Sequence, residues 1–258
     1  MAHFYLDDSL AAQLAGVTGV SSVGGSGGAT VVYLRGADAR HAVTVARVRV
    51  GEALRLGDGA GLVAQGVVAS ATPAEVALAV QGVQRHERPV PSIRLVQALA
   101  KGDRAELAVQ AATELGVDGV IPWQAARSVS RWDAAKALKG RERWQTIARE
   151  ATKQSMRPFV PLVETLVSTA LLAARAAEAT VLVLDPTGEQ ALTAVTAAEL
   201  GDRDVLLVVG PEGGISPDER KVLIAQGARC VRLGDSVLRT STAGPAAIAV
   251  LSAALARW

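Results

Sequence analysis

Cysteine is almost absent: Cys230 is the only one in 258 residues. A single thiol excludes a disulfide within the chain and a zinc cluster of thiolates, and it suits a reducing, cytoplasmic setting. Aromatic residues make up only 3%, which leaves little material for a platform on which single-stranded bases could stack. No uninterrupted apolar run approaches the roughly 18 residues of a transmembrane helix, so no membrane span is expected. Residues 1–10 carry Asp7 and Asp8 and lack an apolar centre, so no signal peptide is expected there. No constellation of metal ligands stands out, so no metal is expected.

What is present is ordinary soluble-protein material. Half the residues are apolar, and alanine and valine supply most of them, which predicts a core of small side chains. The length allows one large domain or a small and a medium one. Net charge is only +2, but it is unevenly spread. Arg127, Arg131, Lys136, Lys139, Arg141, Arg143, Arg149, Lys153 and Arg157 face only Asp133, Glu142 and Glu150 between residues 127 and 157. Such a run is either a solvated helix face or a phosphate-binding surface, and position alone does not choose.

A Gly/Ser patch at 21–28 reads as a mobile loop. Short strands are predicted at 30–34, 53–56, 61–69 and 75–83, separated by turn residues, with a short helix at 41–48. Close-spaced short strands suggest a small barrel over residues 1–84. The stretch 85–91 is polar, carries Pro89 and Pro91, and reads as a linker. From residue 92 to 258 the texture changes. Apolar runs at 93–99, 117–122, 180–184, 204–209 and 229–233 alternate with helical spacing at 104–115, 138–155 and 246–256. That alternation predicts an α/β domain with a parallel sheet covered on both faces.

The most informative stretch begins with the apolar run 205–209, which enters Gly210-Pro211-Glu212-Gly213-Gly214-Ile215. Ser216 with Glu219 then forms a capping box, and Pro217 falls at the first helical position. Strand, glycine-rich loop and helix start is where open α/β sheets bind ligands. The loop is not a dinucleotide fingerprint and lacks the Lys-Ser/Thr of a phosphate-gripping loop. Its charged member is the acid Glu212, which favours a neutral or cationic ligand over a polyphosphate. The three glycines also suit a tight turn with no ligand at all. A second such stretch is Leu233-Gly234-Asp235-Ser236-Val237-Leu238-Arg239-Thr240-Ser241-Thr242. Any of the three hydroxyl residues could cap the helix that follows, and Arg239 is either a functional cation or a surface ion-pair partner.

These motifs in this order resemble the RsmE family, the 16S ribosomal RNA uridine N3-methyltransferases of the SPOUT superfamily. The resemblance extends over nearly the whole chain. It includes His41, Arg47, Gly51 and Asp58-Gly59 in the first part, then Lys101-Gly102, Thr113-Glu114-Leu115-Gly116, and Glu150-Ala151 with Gln154-Ser155 and Arg157. Two positions depart: Ala111 stands where the family has Lys, and Ser241 stands where it has Glu.

The resemblance implies a PUA-like β-barrel followed by a SPOUT-type knotted parallel-sheet methyltransferase domain. It implies S-adenosylmethionine as cofactor, 16S ribosomal RNA in the small subunit as partner, and a homodimer. Leu184, Asp185, Gly210, Glu212, Gly213, Gly214, Leu233, Gly234, Val237 and Leu238 are the expected cofactor-binding residues. Arg239 is the expected stabilising cation, and Glu212 the expected orienting acid. His41, Arg47, Lys101, Arg127, Arg131, Lys153 and Arg157 are expected on RNA. Two other functions fit the same residues: methylation of another RNA site, such as a ribose 2′-hydroxyl, and RNA binding without catalysis by a ribosome-assembly factor.

Overall fold

The computed structural model describes residues 3–15 and 30–258; the Gly/Ser patch at 21–28 lies outside them. The chain divides into two compact units. Met1–Arg88 with Thr152–Val160 form the first, and Pro89–Ala151 with Pro161–Trp258 the second.

In the first unit the order is β1 (His3–Leu6), α1 (Leu10–Ala15), β2 (Val31–Arg35), α2 (Gly36–Thr44), β3 (Ala53–Gly57), β4 (Leu62–Ala71) and β5 (Glu75–Arg85). The strands make one curled sheet in the order β1-β3-β4-β5-β2, antiparallel except for β1 with β3. Val32, Leu34, Leu54, Leu56, Val76 and Leu78 alternate into its core. The predicted helix at 41–48 is displaced, since α2 starts at Gly36 and ends at Thr44. Gly36 at φ +69° turns the chain straight out of β2, and Arg47 at φ +57° stops the helix early. The segment 152–160 belongs here as well. Phe159 bridges Ala60, Gly61 N–H donates to Pro158 O, and Val160 N–H donates to Gly59 O. The Arg88 guanidinium lies over the Phe159 ring at 4.6 Å.

The second unit runs β6 (Ile93–Ala98), α3 (Arg104–Glu114), β7 (Gly119–Trp123), α4 (Ala134–Gln154, its last three residues in the first unit), β8 (Leu162–Val163), α5 (Thr169–Ala174), β9 (Thr180–Leu184), β10 (Gln190–Ala191), α6 (Ala197–Leu200), β11 (Val205–Val209), α7 (Pro217–Ala225), β12 (Arg229–Arg232) and α8 (Thr240–Ala254). The seven strands are ordered β10-β12-β9-β11-β6-β7-β8, and every neighbouring pair is parallel.

Both faces are covered, which is why β11 is apolar at every position. Leu95 and Leu207 point to a core shared with Val109 of α3, Trp144 of α4 and Ile248 of α8. Val96 and Val208 point the other way, against Leu172 of α5 and Leu223 of α7. Helix α8 lies close on the sheet: a Cβ on Gly244 would stand 2.8 Å from Leu95 Cδ1 and 3.4 Å from Val209 Cγ2. It also starts six residues earlier than the alanine-rich run suggests. None of its three hydroxyl residues caps it, because the N-cap is Arg239, which makes no side-chain cap bond.

Candidate active site

Strands β12, β9 and β11 are adjacent, so the loops leaving their carboxyl ends meet. Between them lies a cleft of about 590 Å³, within the range of small-molecule sites. Leu184, Asp185, Pro186 and Thr187 follow β9; Gly210, Pro211, Glu212, Gly214 and Ile215 follow β11; Leu233, Gly234, Ser236, Val237, Leu238 and Arg239 follow β12. Val209 of β11, Arg104 of α3, Arg220 of α7, and Thr240 and Ala243 of α8 complete the lining.

Two carboxylates line this cleft, each paired with an arginine. Glu212 Oε1 accepts from Arg104 at 3.0 Å and from Lys101 N–H at 3.1 Å. Burial by itself would raise the Glu212 carboxyl, but N–H donation from its own backbone and from Lys101, together with the Arg104 guanidinium, outweighs burial and holds it below the usual carboxylate range. Asp185 Oδ1 accepts from Thr187 N–H at 2.8 Å and from Thr187 Oγ1 at 2.6 Å, and Oδ2 lies 3.4 Å from Arg220. There too burial raises the carboxyl, and the Thr187 and Arg220 donors bring it below the ordinary value. Both groups are therefore anions at neutral pH and poor proton acceptors. Arg239 differs from the other two arginines. It is exposed, and no ion pair or hydrogen bond engages its guanidinium among the described residues.

Behind the 210–214 loop, Glu219 holds three segments together. The carboxylate is 7% exposed and accepts from Ala126 N–H (2.7 Å), Thr169 Oγ1 (2.9 Å), and the N–H and hydroxyl of Ser216 (3.1 and 2.8 Å). It is the capping-box acid of α7. Burial raises its carboxyl, and those four donors more than compensate, leaving its pKa lowered. Glu219→Ala should lower unfolding stability by about 2–4 kcal/mol in urea titration, because the backbone donors of Ala126 and Ser216 lose a buried acceptor. The sign with pH follows from the depressed pKa. The wild-type advantage is full above the unfolded-state carboxylate pKa and disappears as pH falls through the lower folded value.

The chain matches the RNA methyltransferase domain model over residues 86–252 and the RNA methyltransferase PUA domain model over residues 34–80. It is 43% identical over 235 residues to a Mycobacterium bovis protein named Ribosomal RNA small subunit methyltransferase E, covering 88% of each chain. The chain belongs to the ribosomal RNA small subunit methyltransferase E family. The Bacillus subtilis member is 33% identical over 226 residues, covering 85% of this chain and 88% of that one. The crystal structure of the family member from Neisseria gonorrhoeae, bound to S-adenosyl methionine, superposes with a TM-score of 0.80 at 25% identity, covering 98% of both chains. The resemblance drawn from the motifs and the SPOUT-type parallel-sheet fold with an amino-terminal PUA domain are thus borne out.

Of the residues expected at the cofactor, all but one line the cleft. Gly213 does not; it faces Arg127, whose guanidinium donates to Gly213 O at 3.0 Å and whose Cβ would lie 3.2 Å from a Cβ there. The residues expected on RNA are dispersed. Lys101 follows β6 with its side chain exposed, and Arg127 and Arg131 occupy the loop after β7, where Arg131 donates to Ala126 O. His41, Arg47, Lys153 and Arg157 are in the first unit, where Lys153 pairs with Asp38 at 3.1 Å and His41 packs edge-on against Tyr5. The basic run is partly consumed internally: Arg143 pairs with Glu106, Lys136 with Asp133, and Arg141 donates to Val163 O. Family motifs did not single out Arg104, Thr187 or Arg220, which reach the cleft from helices or from the far side of a turn.

Proposed function

We propose that this chain transfers a methyl group from S-adenosylmethionine to N3 of a specific uridine in the 16S ribosomal RNA of the small subunit. One observation carries the reading: the loops after three adjacent parallel strands converge on a single cleft in a chain of this family. The cleft fits the cofactor in volume and chemistry. Its apolar walls are Leu184, Ile215, Leu233, Val237 and Leu238. Its two carboxylates are each neutralised by an arginine, Glu212 by Arg104 and Asp185 by Arg220, which leaves polar groups for a nucleoside and Arg239 as the unpaired charge among the described residues. When bound, the cofactor supplies a methyl group made electrophilic by its sulfonium.

The chain's own residues do the rest. Backbone amides and carbonyls of the 184–187, 210–214 and 233–239 loops hold and orient the ligand, and positioning of this kind accounts for much of the barrier reduction in a displacement. Arg239, unpaired at the cleft rim, faces the negative charge that develops on the uracil as its N3 proton leaves. Glu212, already ionised, orients Arg104 and the Lys101 backbone and does not take that proton. The target base must be unpaired or flipped out for N3 to be reached.

Lys101, with its exposed side chain unpaired among the described residues, contacts RNA phosphate. Lys101→Ala should weaken RNA binding and reduce the slope of log affinity against log salt by about 1; an unchanged slope would remove Lys101 from the RNA surface. The chain acts as a homodimer in the cytoplasm. The outward positions Ala246, Ala249 and Ala253 of α8 are small enough for a second helix to approach closely, and light scattering should return twice the mass of one chain. No helix among the described residues is long and apolar enough to cross a membrane.

The deciding experiment is mass spectrometry of 16S RNA from a strain lacking this protein, with restoration by the purified chain and labelled S-adenosylmethionine. Loss and return of one methyl on one uridine supports the reading. Methyl on a ribose would move the target. RNA binding without transfer would identify a non-catalytic assembly factor.

A further inference from the structure

Gln97 lies near the end of β6, a strand that contributes no residue to the cleft, yet it is fully buried in a sheet otherwise apolar at its centre. An amide in such a place must be hydrogen-bonded or it destabilises the fold. Its Nε2 donates to Thr240 Oγ1 at 2.8 Å and to Ala98 O at 3.2 Å, and Thr240 Oγ1 donates to Gly210 O at 2.8 Å. The direction of this relay is forced. Gly210 O can only accept, so the Thr240 proton points at it, and the Thr240 oxygen is left to accept from the amide. The Gln97 Oε1 has no hydrogen-bond partner among the described residues.

The relay ends at two places that matter. Gly210 opens the loop that carries Glu212 and Gly214, and its carbonyl sets the Gly210–Pro211 peptide plane. Thr240 is the first residue of α8, directly after Arg239 and the 233–239 loop. A single hydroxyl thus ties two of the three cleft-forming loops to each other, and Gln97 fixes that hydroxyl from beneath. No other side-chain hydrogen bond joins these two loops among the described residues.

We infer that Gln97 and Thr240 are positioning residues for the cofactor cleft: their relay clamps the Gly210 loop to the Arg239 loop and so sets the shape in which S-adenosylmethionine is held. The inference rests on the function proposed above and adds a buried pair of which Gln97 lies outside the cleft and Thr240 stands at its wall. Loss of the clamp lets the two loops separate and weakens cofactor binding before it affects RNA binding.

The test compares Thr240→Val, which keeps the shape and loses the hydroxyl, with Thr240→Ser, which keeps the hydroxyl, and with Gln97→Met. Cofactor Kd is read by calorimetry, and KM for cofactor, KM for RNA and kcat by methyl transfer. Thr240→Val and Gln97→Met should each raise cofactor Kd and KM about tenfold, the equivalent of one lost hydrogen bond, with KM for RNA unchanged. Thr240→Ser should stay within about twofold, since it keeps the same bond. Equal losses in Thr240→Val and Thr240→Ser would mean that packing, not the relay, matters, and would overturn the inference. So would wild-type cofactor affinity in both Thr240→Val and Gln97→Met. If wild-type protein takes up no S-adenosylmethionine, the functional reading itself fails; if it does and the variants match it, only the clamp fails.

Discussion

Arg239→Ala should lower the rate of methyl transfer by about 10²–10³-fold, the usual consequence of deleting one preorganised group that meets developing charge, while cofactor affinity changes little. The structure gives two reasons to expect so clean a separation. The Arg239 guanidinium has no partner among the described residues, so truncation orphans no buried acid there. Its role as N-cap of α8 uses only its extended backbone, φ −64° and ψ 151°, so alanine should leave the helix start in place. Single-turnover measurement with saturating cofactor isolates the chemical step. Arg239→Lys restores charge without the planar fork and should recover part of the loss. A wild-type single-turnover rate in Arg239→Ala would remove this residue from the chemistry and return it to the surface.

Gly244→Val should cost about 3 kcal/mol or more in denaturant unfolding, at the upper end of overpacking effects. A glycine inside a helix is itself about 1 kcal/mol worse than alanine. If a Cβ had room, Gly244→Ala would therefore stabilise the protein, so the sign of the alanine variant is diagnostic. Room is lacking. Leu95 is fully buried between Ile93 and Leu207, and the Cβ would approach it to 2.8 Å. Either Leu95 turns within a filled core or helix α8 lifts, and the larger valine side chain favours the second, in which Thr240 lifts with the helix. Loss of cofactor affinity should accompany the loss of stability in Gly244→Val; a stabilised Gly244→Ala would show that the helix sits farther from the sheet than described.

Much of the second unit was legible because its signals are local. An apolar run such as 180–184 is a strand with the bounds that the sequence suggests, and Ser216, Pro217 and Glu219 mark the start of α7 by residue type alone. The cleft loops could be read for the same reason: each follows an apolar run directly. The misses arise where the deciding contact is distant in sequence. Thr240 looks like a capping hydroxyl until Gly210, thirty residues earlier, proves to be its acceptor. Gln97 reads as an interruption in a strand, and only the approach of α8, with its bond spanning 143 positions, gives it a role. Arg220 follows a capping acid and looks like a solvated helix residue, until the turn at Asp185 is folded against it. Glu219 reads as a cap from the sequence; its further bonds to Ala126 and Thr169 depend on loops that carry no motif.

The segment 152–160 has a practical corollary for anyone dissecting the chain. A recombinant fragment ending at the proline-bearing stretch would discard Pro158, Phe159 and Val160, leaving Gly59 O, Gly61 N–H and the Arg88 side chain without the groups they meet in the intact protein. Such a piece should be poorly soluble. Appending those nine residues through a flexible tether is the design that would let the amino-terminal module be produced by itself.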